Sequence, residues 1–166
     1  MKLLINIILF KICWITCVYC AGQGKPFIGP AVVTLSVLFQ FLYFKFNTSW
    51  LLFLLFVGTL GSLYDSLACS WNIISFPNDP VFYPLWMSAL WVNFASLLHF
   101  TLSWMQKKYF ISIVFGFFGG PISYFTGKKL GAITLLEPTF LSLIVIACMW
   151  AIIMPILLKT SEKVRL

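Results

Sequence analysis

Three ionisable side chains stand inside otherwise apolar stretches: Lys11 in "NIILFKICWITCV", Asp65 in "FLLFVGTLGSLYDSLACS" and His99 in "PLWMSALWVNFASLLHF". A charge at the centre of a lipid-embedded helix costs about 2.5 to 3.5 kcal/mol, so such groups are kept for a site or a partner. Asp65 weighs most. At about 100° per residue, Gly58, Gly61 and Asp65 share one arc, which places the carboxylate on a face that a second helix can approach closely. A proton or cation site and a purely structural hydrogen-bond acceptor both fit that position. Lys11 requires an acid such as Asp65, or a wet cavity, because its stem reaches only part of the way to either interface. Around His99, the residues Ser88, Ser96 and Ser103 form a polar arc and Asn93 adds an amide. Hydrogen bonding between helices explains that arc as well as a binding surface does.

The stretch "GGPISYFTGKKLGA" (residues 119–132) raises a different chemistry. Gly119, Ser123, Gly127 and Gly131 recur every fourth position, and Gly116 with Gly120 adds a second pair, so the segment offers small-residue ridges for close helix packing. Pro121 removes one backbone donor and crowds the preceding turn, which predicts a break or kink at Gly119-Gly120-Pro121. Backbone freed at membrane depth is tolerated only against protein or water. The expectation is a polar pocket built from Asp65, Ser123, Tyr124, Lys128 and Lys129, with Lys11, Asn93 and His99 as further candidates. A kinked packing helix ending in a basic interfacial turn is the alternative.

Cysteine gives a third possibility. Cys13, Cys17 and Cys20 lie on one stripe of the first helix, and Cys17 to Cys20 is formally a C-x-x-C. A membrane thiol oxidoreductase needs a second pair to pass electrons on, whereas this chain adds only Cys69 and Cys148; small thiols packing between helices account for the stripe too. The sequence has no Ser-His-Asp order, no phosphate-cradling loop and no paired acidic metal motif. One histidine cannot supply a bis-histidine haem site. No metal and no cofactor is expected.

The elements that must hold these residues follow from composition. Of 166 residues, 61% are hydrophobic and 9% charged, with a mean hydropathy of +1.01, which a small water-soluble domain could not cover with polar surface. The chain is expected to be an all-α polytopic membrane protein forming one integral-membrane domain over residues 1–166, with no soluble domain. Six segments of near-spanning length stand at 3–21, 27–44, 50–70, 84–104, 109–125 and 139–158. Continuous apolar runs favour helices over a barrel, whose strands would alternate. Pro26, Pro84 and Pro138 stand at or before span starts, where a missing N–H costs little. Lys11 interrupts the first run and Tyr19 stands where a leader cleavage site wants a small side chain, so 3–21 is expected to be a membrane helix and not a signal peptide.

The net charge of +7 is dispersed at span ends instead of clustered on a polar face, which argues against nucleic acid. Lys2, Lys45, Lys107, Lys108, Lys159, Lys163 and Arg165 fall on one side and Lys25, Lys128 and Lys129 on the other, so both termini are expected in the cytoplasm. Trp14, Trp50, Trp71, Trp86, Trp91 and Trp104 mostly fall toward span ends and read as interfacial anchors.

On "NIILFKICWITCV", "GKPFIGP", Asp65, "PLWMSALWVNFASLLHFTLSWM" and "GGPISYFTGKKLGA", the chain resembles, over nearly its whole length, a family of small bacterial inner-membrane proteins catalogued only as a domain of unknown function. Lys11 departs from that family, where an uncharged residue is expected. The resemblance implies a polytopic membrane protein with no established activity, and it carries an association with enzymes that modify fatty acyl chains. The functional expectation is a non-enzymatic accessory protein of membrane-lipid or fatty-acyl modification, partnered by membrane lipid, a lipid-modifying enzyme or a second copy of itself. The rivals are a small-solute or ion permease using Asp65 and the fifth helix, and a thiol oxidoreductase using Cys17 and Cys20.

Overall fold

The computed structural model describes residues 1–78 and 83–164. Arg165, counted above as a topology signal, and the middle of the 75–84 loop lie outside the described residues. Six α-helices follow in chain order: α1 (Lys2–Gly22), α2 (Ile28–Phe44), α3 (Thr48–Ser70), α4 (Leu85–His99), α5 (Tyr109–Lys129) and α6 (Thr139–Ser161). Pro84 and Pro138 take the N-cap positions of α4 and α6, where an extended residue without an N–H does no harm. Asn47 caps α3, its side chain accepting from the Trp50 amide at 3.2 Å.

Four helices, α1, α3, α5 and α6, are long and apolar enough to cross a membrane, and α2, with 17 residues, is a shorter apolar helix. Much of their outer surface is large and apolar, including Leu35, Leu42, Leu55, Phe110, Phe118 and Ile152. A water-facing protein does not carry so extensive an apolar coat, and the architecture is consistent with a multi-pass helical membrane protein.

The fourth span departs from the 84–104 expectation. α4 has 15 residues, about 22 Å of helix against a hydrocarbon core of roughly 30 Å. It ends because the chain turns: the Leu102 amide bonds back to the Leu97 carbonyl at 2.8 Å, and the Thr101 hydroxyl donates to Asn6 Oδ1 on α1 at 2.5 Å. A short 3-10 turn at Ser103–Met105 completes the segment. α4 packs against α1, α2, α3 and α6, and Trp86, Trp91, Asn93, Ala95, Ser96 and Leu98 are all buried. It is the post around which the bundle is built.

The fifth segment also differs. α5 runs as one helix from Tyr109 to Lys129 with Pro121 inside it, so the chain does not break at Gly119-Gly120-Pro121. Packing holds the helix through the proline. The α5 face bearing Gly116 and Gly120 presses on α6 so closely that a Cβ at either position would run into Trp150. Lys128 and Lys129 therefore stand on the last turn of the helix, where the exposed carbonyls favour cations.

One departure from an all-α fold occurs where the loops meet. β1 (Ile74–Ser75) and β2 (Thr134–Leu135) pair antiparallel, Ile74 opposite Leu135 and Ser75 opposite Thr134, with the Ser75 and Thr134 hydroxyls bonded to each other. Nearby, the Asn78 amide donates to the carbonyls of Gly22 at 3.1 Å and Gly131 at 2.9 Å. The C-terminal ends of α1 and α5 are pinned there. Gly22 has to be glycine, since a Cβ would collide with the Leu130 carbonyl. Gly131, at φ +75°, turns the chain out of α5, and the Ala132 amide closes on the Gly127 carbonyl at 3.0 Å, the bonding that ends a helix at a left-handed residue.

Candidate functional site

From that pinned end, a cleft of about 210 Å³ runs between α1 and α5. Phe10, Trp14 and Val18 form the α1 wall, one residue per turn. The α5 wall is low because Gly119, Ser123 and Gly127 carry little or no side chain there. The floor is the aromatic face of α4, with Trp86, Trp91 and Phe94, and Trp150 of α6 closes the back. Trp91 and Trp150 stack nearly parallel, 5.0 Å between centroids. The cleft is thus a channel of rings and aliphatic groups, and no His, Cys, Asp or Glu is among the described residues lining it.

Asp65 lies one layer behind this wall, fully buried. Oδ2 accepts from Trp91 Nε1 at 2.7 Å and from the Tyr83 hydroxyl at 3.5 Å, and Oδ1 accepts from the Tyr124 hydroxyl. Two of these donors, Trp91 and Tyr124, are also cleft-lining rings. The carboxylate therefore fixes the orientation of the wall from outside the cavity. Burial first, and then the Asp65 charge, push the Tyr83 hydroxyl well above the ordinary phenol range, which keeps it a neutral donor. The approach of α3 to α4 depends on glycine: a Cβ at Gly61 would enter the Trp91 ring, and one at Gly58 would meet Val92 at 2.7 Å.

The lysines do not join this group. Lys128 pairs with Glu137 at 2.6 Å, and Lys129 stands over the Phe125 ring, 5.4 Å from its centroid. Lys11 is exposed on α1. Among the described residues, Asp65 has no cationic partner. Burial of Asp65 was expected to gather a charged pocket; the neighbours supplied instead are neutral N–H and O–H groups, which satisfy both oxygens without a second buried ion.

Asn93 and His99 belong elsewhere. Asn93 Nδ2 donates to the Phe10 carbonyl at 3.1 Å, and His99 Nδ1 donates to the Ser161 carbonyl at 3.1 Å. Asn93 adjoins a second buried polar group that sequence reasoning passed over. Asn6 Nδ2 donates to Gln40 Oε1 at 2.8 Å, and Gln40 Nε2 to Ser36 Oγ at 3.2 Å. These contacts tie α1, α2 and α4 together. The signal was available: two amides in apolar runs each need partners when buried.

The small residues of α5 divide into two sets. Gly116 and Gly120 make the close helix contact with α6, whereas Gly119 meets nothing nearer than its own Phe115 at 3.8 Å and Gly127 leaves room up to Ile133 at 3.4 Å. Of the two ridges expected to pack, the one bearing Gly116 and Gly120 does so, and the one bearing Gly119, Ser123 and Gly127 borders the cleft. Among the cysteines, Cys17 is 1% exposed, and a Cβ at Gly29 of α2 would strike its Sγ at 2.6 Å. That thiol packs α1 on α2 and offers no access to an attacking group. Among the described residues, no cluster of three or more His, Cys, Asp or Glu could hold a metal.

Residues 3–156 match the family described as "Protein of unknown function (DUF2878)". The chain belongs to this family. No curated protein and no solved structure matches it. What distinguishes this DUF2878 protein chemically is an aromatic cleft with a carboxylate bracing its wall from behind. Such a site can bind and orient an apolar group. For this DUF2878 chain the described residues on the cleft supply an apolar, mostly aromatic binding surface.

Proposed function

We propose that this protein is a single integral domain of the bacterial inner membrane, with both termini in the cytoplasm, that takes a lipid acyl chain into the cleft between α1, α4 and α5 and serves as an accessory protein of membrane-lipid or fatty-acyl modification. The observation that carries the reading is the cleft itself: about 210 Å³, ring-lined, and bordered by the small residues Gly119, Ser123 and Gly127. Sites for small apolar ligands are concave and mostly apolar, with few polar groups to orient the occupant. The exposed apolar coat of the surrounding helices supports a lipid environment from which a chain could enter sideways. Excess lysine at the end bearing the termini supports the orientation. A lipid-modifying enzyme would be the partner that receives or delivers the chain.

The test compares acyl and headgroup profiles of membranes from cells with and without the gene, complemented by the wild type or by Gly119→Leu. Gly119 has space for a side chain, so leucine fills the cleft without disturbing the α5 to α6 contact. A specific acyl species that disappears on deletion, returns with the wild type and does not return with Gly119→Leu is the expected result. An unchanged profile on deletion refutes the reading.

A further inference from the structure

Lys11 takes no part in the Asp65 cluster, whose donors are Trp91, Tyr83 and Tyr124. It stands near the middle of α1, nine residues after Lys2 and eleven before Gly22, which is about 14 Å and about 16 Å from the two helix ends. A four-carbon stem does not cover either distance. Its surroundings on α1 are the exposed apolar residues Ile8, Ile12 and Ile15. The acids of the chain are engaged or distant. Asp65 is buried among neutral donors, Glu137 pairs with Lys128, Glu162 accepts from the Lys107 amide at 3.0 Å, and Asp79 lies outside the described residues. An ammonium at that depth calls for an anion, and no described residue provides one.

Helix geometry puts Lys11 at the rim of the cleft. Taking Phe10 as the origin and about 100° per residue, Trp14 falls near 40°, Val18 near 80° and Lys11 near 100°, whereas Cys13 and Cys17 are buried on the other flank. Lys11 thus borders the wall formed by Phe10, Trp14 and Val18. α1 and α5 lead in the same direction to their contact at Gly22 and Leu130. Lys11 precedes Gly22 by as many residues as Gly119 precedes Leu130, so the ammonium and the lowest point of the α5 wall share a level.

We propose that the cleft takes a single unesterified fatty acid, its carboxylate paired with Lys11 at the level of Gly119 and its chain lying along α4 between α1 and α5. This rests on the reading that the cleft accepts an acyl chain, and it names the head group and the residue that selects it. The depth of Lys11 decides the class. A phospholipid head group is large, strongly hydrated and held at the interface, about 14 to 16 Å away along the helix. A lone carboxylate is small, and the pairing removes two charges from hydrocarbon together instead of leaving one uncompensated.

Trp14, Trp86, Trp91 and Trp150 line the cleft, so a brominated chain inside it quenches their fluorescence. The purified full chain in zwitterionic nanodiscs is titrated, at alkaline pH, with dibrominated stearic acid and with its methyl ester, using wild type, Lys11→Met and Lys11→Arg. The expected result is saturable quenching by both ligands in the wild type, with the acid at least tenfold tighter. Lys11→Met brings the acid to the level of the ester without changing the ester, and Lys11→Arg keeps the preference. Acid and ester binding alike in the wild type, or a preference that persists in Lys11→Met, overturns the assignment of Lys11 while leaving the acyl-chain cleft standing. Saturable quenching by neither ligand overturns both.

Discussion

Replacing Asp65 separates the two roles a buried carboxylate can have. In the structure it serves three donors, Trp91 Nε1 at 2.7 Å, Tyr83 at 3.5 Å and Tyr124. Asp65→Ala removes the acceptor from all three. The Trp91 N–H cannot reverse its polarity, and the Tyr124 hydroxyl is buried with it. An orphaned buried donor costs about 1 to 3 kcal/mol in water-soluble proteins, but side-chain hydrogen bonds between membrane helices average about 0.6 kcal/mol and reach about 1.7. With two strong contacts and one long one, the expected loss is about 1 to 3 kcal/mol. Asp65→Asn behaves differently. Its carbonyl oxygen faces Trp91, its amide faces Tyr124, and the tyrosine hydroxyl rotates to accept, so one contact changes direction and the loss stays under about 1 kcal/mol. The assay is equilibrium unfolding in mixed micelles, with Tyr124→Phe in both backgrounds to isolate the coupling. Asp65→Asn as damaging as Asp65→Ala would refute the reasoning, because the negative charge itself would then be what the bundle needs.

Adjacent glycines on α5 give a contrast of magnitude. Gly120→Leu forces a Cβ to within 2.5 Å of Trp150 Cδ1 and is expected to destabilise by about 1 to 3 kcal/mol or more; Gly119→Leu stays within about 0.5 kcal/mol of wild type while abolishing quenching by brominated chains. Equal stability of the two variants would sink the assignment of their faces. At the α5 to α6 turn, Lys128, and then the hydroxyl and amide of Thr139, hold the Glu137 carboxyl at about 2, below its ordinary 4.5. Its folded value is the lower one, so the contact's contribution is complete above about 4.5 and disappears as pH falls toward about 2. Carboxyl NMR of glutamate-labelled protein follows this directly, since Glu162 is the only other glutamate; Lys128→Met should raise the Glu137 midpoint, and an unmoved midpoint counts against the pair.

Hydropathy made most of the helical plan legible, because long apolar runs have one economical solution in lipid. α1, α3 and α6 lie close to their expected limits. The end of α4 was not legible: residues 100–104 contain no charge, glycine or proline to stop the helix, and the Thr101 contact that accompanies the turn is with Asn6, far away in the chain. The α5 helix runs unbroken past Pro121 for a related reason. The proline's local cost is real, but α6 packs on the same turn through Gly116 and Gly120, and no local rule weighs a neighbour that has not yet been placed. The candidate site was half visible. Asp65 and Tyr124 stood out as polar groups in apolar segments, whereas Trp91, read as an interfacial anchor, became a partner of Asp65 because α4 is central. Lysines at 128 and 129 looked near enough in depth to join Asp65, but Lys128 reaches Glu137 and Lys129 lies over the Phe125 ring.

The position of α4 bears on how the protein reaches its membrane. In the spanning arrangement proposed here, this helix is too short to bridge the hydrocarbon core by itself, and it carries Asn93, Ser96 and His99. Presented alone to lipid, it would leave the Asn93 amide without a partner. The insertion machinery must therefore release it in company. α1, α2 and α3 emerge from the ribosome first, and they hold the Phe10 carbonyl that receives Asn93 and the Asn6 side chain that receives Thr101. Synthesis order thus has the receptacle waiting before the post arrives, and a chain truncated before α4 would be left with that receptacle empty.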